Sequence, residues 1–210
     1  PLSQPLEQYF ALLAECGERQ AQQEIRLQAG PLLIEDWLTD LRGSSANPQR
    51  LVLHTGRLKD RFDKITREWA LHLAACAAGH PLTTHLQAQD GRLTLPPLGR
   101  DAAQEHLDHI GHAWRQALCE PLPIACATAF AWLKGEEKDN GEYEARKQFE
   151  SGFMHTGEQE KEPALARAWT DFDALLAPRH GDVSAFEYWT GQLYAPLYAH
   201  TQWHQPGEPA

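Results

Sequence analysis

The sequence has no apolar run approaching the roughly 18 residues that a membrane-spanning helix needs. It has no Gly-X-Y period and no long Pro- or Ser-rich tract, which excludes a collagen-like repeat and a disordered tail. It lacks a basic excess: 19 Lys and Arg stand against 29 Asp and Glu, a formal net charge of −10. A dedicated nucleic-acid binder carries the opposite footprint. Its four cysteines show no CxxC spacing, which points to a reducing, cytoplasmic setting. GxSxG, Walker A, GxGxxG and HExxH motifs are all missing, and no internal repeat is evident. The chain opens at Pro1 without Met or a signal-peptide pattern, so the expectation is a piece of a longer protein without a secretory leader.

What is there suits a globular protein. Of the 210 residues, 42% are hydrophobic and seven are Trp. A chain of this length buries roughly 70% of its unfolded surface. Leu6–Gln22 carries an apolar stripe at helical spacing, and Glu24–Gln28 alternates as a half-buried strand does. Leu32–Leu41 reads as a second strand, with a short helix as the alternative, Gly43–Pro48 as a loop and Arg50–His54 as a third strand. Leu58, Phe62, Ile65, Trp69, His72, Leu73 and Cys76 then follow helical steps until Gly79. Asp90-Gly91 between two short apolar runs predicts a hairpin. Asp101 opens a helix that runs to about Cys119. Beyond Glu120-Pro-Leu-Pro the pattern is shorter helices: Thr128–Lys134, Glu142–Phe149, Ala164–Leu176 and Val183–Ala199. The fold class is therefore α/β (α+β), a mixed sheet with flanking helices over 1–120 and a helical part over 121–210 packed on it.

Charge is unevenly placed. Residues 1–100 hold eleven basic and eleven acidic residues, while 101–210 hold eight and eighteen. Within 50–67 the sign inverts: Arg50, Arg57, Lys59, Arg61, Lys64 and Arg67 face Asp60 and Asp63. That run reads either as a solvated helix face or as a contact for phosphates or an acidic partner. Cys76 and Cys119 stand among apolar residues, as buried thiols do. His106, His109 and His112 repeat every three residues, yet about 120° separates the first from the last around a helix, so no metal site is assigned to them. The aromatic-rich stretch Phe172–Trp203 serves either as core or as an interface anchor.

The order α-β-β-β-α-β is the core arrangement of PD-(D/E)XK nucleases. There, two carboxylates hold Mg²⁺ that activates water, and a Lys assists. Here the third strand reads Val52-Leu53-His54-Thr55-Gly56: Val52 occupies the acid position and His54 the Lys position. The second-strand acid position falls on Thr39, beside Asp40, and the element on the following helix falls on Glu68 and His72. One Asp40 does not replace two converging carboxylates, so no catalytic residue, metal or cofactor is assigned and hydrolysis is expected to be lost.

Leu33–Arg42, Trp69–Gly79, Asp90–Leu98 (DGRLTLPPL), Ala117–Pro123 (ALCEPLP), Ala131–Lys134 (AWLK), Phe149–Gly157 and Leu193–Tyr198 (LYAPLY) stand in an order and spacing that resemble one family. It is that of the C-terminal domain of RecC, the gamma subunit of exodeoxyribonuclease V. The resemblance implies a degenerate nuclease-like domain without activity in a heterotrimeric, ATP-dependent helicase–nuclease for double-strand-break repair by recombination. It further implies RecB-like and RecD-like partner subunits, and double-stranded and unwound DNA met through the full complex near the point of strand separation. No membrane is involved in that picture. Two other readings stay open: a metal-dependent nuclease with a migrated carboxylate at Glu35, Asp36 or Asp40, and a generic protein-interaction domain.

Overall fold

The computed structural model describes residues 3–44 and 46–206, and the chain divides into two compact units. The first comprises residues 1–111 and 200–210, the second residues 112–199.

The first unit opens with helix α1, Ser3–Glu15. Strands β1, Gln23–Ala29, and β2, Leu32–Leu38, pair as an antiparallel hairpin that is a sheet of its own. Four further segments and a C-terminal strand follow: β3, Leu41–Ser44; β4, Asn47–Leu53; β5, Thr83–Ala88; β6, Gly91–Leu95; and β9, Gln202–His204. They form one mixed five-stranded sheet in the order β3-β4-β5-β6-β9, antiparallel except where β4 lies parallel to β5. A parallel pair needs a crossover, and helix α2, Thr66–Ala77, supplies it. Helix α3, Arg100–Ala117, follows β6, and the boundary between the units falls within it. The mixed α/β class with flanking helices is what the sequence predicts.

Three local readings are corrected. Four strands, not three, separate α1 from α2, because the expected second strand breaks at Thr39-Asp40. Asp40 takes φ +59°, a left-handed conformation that Asp tolerates and a strand does not contain. Of the loop at Gly43–Pro48, Ser44 and Asn47 pair as strand ends, and Ser45 lies outside the described residues. The helical pattern from Leu58 does not produce a helix before Thr66. Leu58 and Ile65 are fully buried, but they reach the core from a loop and a single 3₁₀ turn, Phe62–Lys64.

The core of this unit lies on both faces of the central strands. Every residue of β6, and all of β5 after Thr83, is buried. Register separates the faces. Thr84, Leu86, Ala88, Leu93 and Leu95 share one, while His85, Gln87, Arg92 and Thr94 share the other. The first face meets α2, whose His72 bonds Thr84. The second meets α1, through Gln87 Nε2 donating to Gln8 Oε1 and through Leu51 packed with Leu12 and Cys16. Within this polar layer His85 bonds Thr94, and Gln87 donates to Gln8 and to the carbonyls of Ala88 and Gly91, as buried polar side chains require.

The second unit is helical: α4, Cys126–Glu136; α5, Gly141–Phe149; α6, Glu158–Lys161; α7, Pro163–Ala168; α8, Phe172–Leu176; α9, Ala185–Trp189; a π turn, Thr190–Tyr194; and α10, Ala195–His200. A two-residue ladder joins β7, Arg179–His180, to β8, Val183–Ser184. The predicted helix over 164–176 is two helices, because the Trp169 backbone is extended and Asp171 starts a new N-cap on the Ala174 N–H. Phe172 and Phe186 are buried together with Phe149, so these two members of the aromatic stretch are core. Cys119, expected to be buried, is exposed; Cys76 is buried.

Candidate functional site

The positions at which the sequence predicts nuclease-type residues lie on β4, just after it and in the β2–β3 turn. Val52 sits in β4 opposite Leu86, on the face that meets α2, and is half-buried. His54 follows the strand: its backbone N–H donates to Gln87 O, and its Nδ1 accepts the Gly56 N–H at 3.1 Å. The imidazole is thus committed to the turn it sits in. Thr39 is in the β2–β3 turn, its hydroxyl donating to Asp40 Oδ2 at 3.1 Å. Arg50, two residues before Val52 and on the same face, binds Glu68 of α2 at 2.5 Å with both side chains largely buried. His72, one turn further along α2, is buried between Thr84 Oγ1 and Pro96 O, each at 3.0 Å. Burial holds its pKa down to about 4 against the pull of the Pro96 bond, and the fields of His200 and Arg50 act in the same direction as burial.

The remaining carboxylate candidates are apart in function. Glu35 and Asp36 are adjacent in β2, so their side chains leave opposite faces of the hairpin. Glu35 pairs with Arg26 across the strands at 2.8 Å, and Asp36 accepts the Trp37 N–H. Among the described residues, no three His, Cys, Asp or Glu side chains converge to hold a metal ion. His106 packs against Trp69, and His112 is exposed.

The basic run is assembled differently from a helix face. Arg50 is taken up by Glu68. Arg61 grips Asp63 through Nε and Nη2 at 3.1 and 3.2 Å, and Lys64 approaches the same carboxylate at 3.3 Å. Burial raises the Asp63 pKa, but the bond from Arg61 and the two nearby cations outweigh it and hold the carboxyl below its ordinary value. Arg57 and Lys59 stand exposed on the loop before the 3₁₀ turn, and Arg67 stands exposed on the first turn of α2.

Sequence reasoning missed what shapes that loop. Asp90, read as a turn residue only, accepts the Leu58 N–H with Oδ1 at 2.9 Å and the Lys59 N–H with Oδ2 at 3.2 Å. Gln89 adds two bonds, from its backbone N–H to Gly56 O and from Nε2 to Thr55 O. The β5–β6 turn therefore holds the basic loop in place. An Asp before Gly signals a hairpin in any sequence, but a distance of 32 residues to its partner leaves no local trace.

Next to this, the hairpin, α2 and α3 enclose a groove of about 240 Å³, lined mainly by Ile25, Leu32, Ile34, Leu71, Leu107 and Ile110 with Asp36 and Arg67 as its charged members. Asp108 of α3 accepts the Gly30 N–H at 2.6 Å, and Gln104 Nε2 donates to Gln28 O, stitching the hairpin turn to the helix.

No curated protein matches this chain. The family model of the RecC C-terminal domain matches residues 1–137, more than half of the chain. The chain belongs to the RecC C-terminal domain family.

Proposed function

We propose that this chain is a non-catalytic part of a RecC-type subunit of the ATP-dependent helicase–nuclease exodeoxyribonuclease V. In this reading it holds RecB-like and RecD-like subunits together and lies on the DNA path where the duplex is parted for recombinational repair, in the cytoplasm. Residues 1–120 are in this reading a degenerate PD-(D/E)XK-type core, and the helices of 121–200 are its extension, with β9 returning to the core sheet. The observation that carries the reading is the occupancy of the nuclease-type positions. Val52 stands where a metal-binding acid would be, His54 is bound into its own turn, and Arg50 on the face of Val52 is paired with Glu68 of α2. Water activation by Mg²⁺ needs carboxylates that converge, whereas Glu35 is paired with Arg26, Asp36 accepts the Trp37 N–H and Asp40 accepts the Thr39 hydroxyl.

The acidic second half supports protein contacts over broad DNA contact. DNA contact is confined in this reading to the exposed cations Arg57, Lys59 and Arg67, with Arg61 and Lys64 beside them already engaged by Asp63. The test has two parts. Linear duplex DNA incubated with the chain and Mg²⁺ or Mn²⁺ is expected to remain intact, and cleavage that disappears on Asp40→Ala overturns the reading in favour of a migrated-carboxylate nuclease. On size exclusion, the full-length subunit that carries the chain is expected to co-elute with RecB-like and RecD-like subunits.

A further inference from the structure

The loop between α5 and α6 presents two large apolar side chains wholly to solvent. Phe153 is 104% and Met154 90% exposed, the highest values among the exposed large apolar residues. Scattered surface apolar residues need no explanation, but an adjacent Phe-Met pair at full exposure on a tip does.

The loop is built, not slack. At one end Phe149 is fully buried. At the other Glu158 is buried, and its carboxylate accepts the Ala127 N–H at 3.0 Å and the Thr128 N–H and hydroxyl at 2.7 Å each, capping α4. The two limbs approach so closely that a Cβ on Gly157 would stand 2.3 Å from Phe149 O. Across the neck, Gly157 N–H donates to Ser151 Oγ, which donates to Glu160. At the tip, Gly152 N–H donates to His155 O at 3.0 Å, and His155 Nε2 donates to Lys147 O at 2.7 Å. A loop pinned at its ends and tied across its neck holds the tip in one conformation, which lowers the entropic cost of inserting it.

We infer that Phe153 and Met154 form a preorganised apolar plug that enters a hydrophobic pocket, rimmed by Lys or Arg, on a protein partner. The rim follows from charge. Over 142–162, which spans α5, the loop and α6, six Glu stand against Arg146, Lys147 and Lys161, and Arg146 is already paired with Glu142 and Glu150. Glu160 and Glu162 are exposed. That surround repels phosphates, so a nucleic acid is disfavoured, and it complements a cationic rim. Aromatic and Met side chains are the types that anchor interfaces. The inference rests on the assembly reading above and names the surface that serves it.

The experiment uses the full-length subunit that carries this chain, titrated against its RecB-like and RecD-like companions. The variant Phe153→Ser with Met154→Ser touches only solvent-facing atoms and is expected to melt at the wild-type temperature while its dissociation constant for one companion rises about 30-fold or more, the size of an interface hot spot. Glu160→Lys with Glu162→Lys is expected to slow association and to remove its acceleration at low salt. Unchanged affinity of the double-Ser variant for both companions overturns the plug and leaves the assembly reading standing. Reduced DNA binding with unchanged subunit affinity also overturns it and assigns the tip to nucleic acid. A wild-type subunit that joins neither companion overturns both.

Discussion

Arg50 of β4 and Glu68 of α2 form a 2.5 Å ion pair with side chains only 11% and 16% exposed, on the sheet face that carries Val52. Removing one partner strands the other charge in a poorly solvated place. Glu68→Ala is therefore expected to lower unfolding free energy by about 2–4 kcal/mol, and Arg50→Met with Glu68→Leu to stay within about 1 kcal/mol of wild type. Urea unfolding of the three proteins decides it. Equal losses in the single and double variants would mean that packing, not charge pairing, holds this contact.

Gly111 of α3 lies where the helix crosses the end of β1. A Cβ there would stand 2.2 Å from Ala29 O and 3.0 Å from Ala29 C. In an open helix Gly→Ala stabilises by about 1 kcal/mol. Here a backbone carbonyl blocks the methyl, so Gly111→Ala is expected to destabilise, by about 2 kcal/mol or more, as overpacking does. A raised melting temperature would show that the hairpin moves away freely.

Much of this fold was legible in the sequence, and the failures share a cause. Strands β1, β5 and β6 and helices α2 and α3 carry local periodicity and turn residues, so reading them needs no partner. Strand β9 has three residues and exists because Trp203 pairs with Leu93 some 110 positions earlier, roughly the longest reach a local pattern must miss. Leu58 and Ile65 keep helical spacing by coincidence of two burials from a loop, and only the bonds to Asp90 show what replaced the helix. Of the candidate site, Val52 and His54, the residues at the positions where a nuclease would carry its acid and its Lys in the proposed reading, could be read directly. The pairing of Arg50 with Glu68, which removes a cation from the basic run, could not, because the sequence shows charges but not which ones meet.

Asp90 is the residue through which the basic loop would be disturbed without touching a cation. Leu58 is fully buried, and Asp90→Ala leaves its N–H without the carboxylate that accepts it. The expected loss is about 1–3 kcal/mol, with Asp90→Asn smaller because one acceptor oxygen remains. Trypsin supplies an independent readout. Cleavage after Arg57 or Lys59 is expected to quicken in Asp90→Ala, and an unchanged digestion pattern would show that Gln89 alone holds the loop.

His72 and His85 set how the protein meets acid. Pro96 O only accepts, so His72 Nε2 carries the proton and Nδ1 accepts from the Thr84 hydroxyl, an arrangement available to the neutral ring alone. His85 bonds Thr94 Oγ1 at 3.1 Å. Burial brings both to about 4, helped by His200 and Arg50 around His72 and by Arg92 and His204 around His85. Both folded values lie below the ordinary 6.5, so between 6.5 and about 4 the unfolded chain binds protons that the folded chain refuses. The stability these rings contribute is complete above pH 6.5 and drains as the pH falls toward 4, each ring adding a slope of up to about 1.4 kcal/mol per pH unit. Below 4 the folded rings protonate too, and their slope vanishes. His72→Gln is expected to lower stability at neutral pH, because the Pro96 and Thr84 bonds are imperfectly replaced, yet to flatten the curve between pH 6.5 and 4 by one proton. Urea unfolding across that range measures both effects. A variant curve parallel to wild type would mean that His72 already shares its proton with solvent in the folded chain.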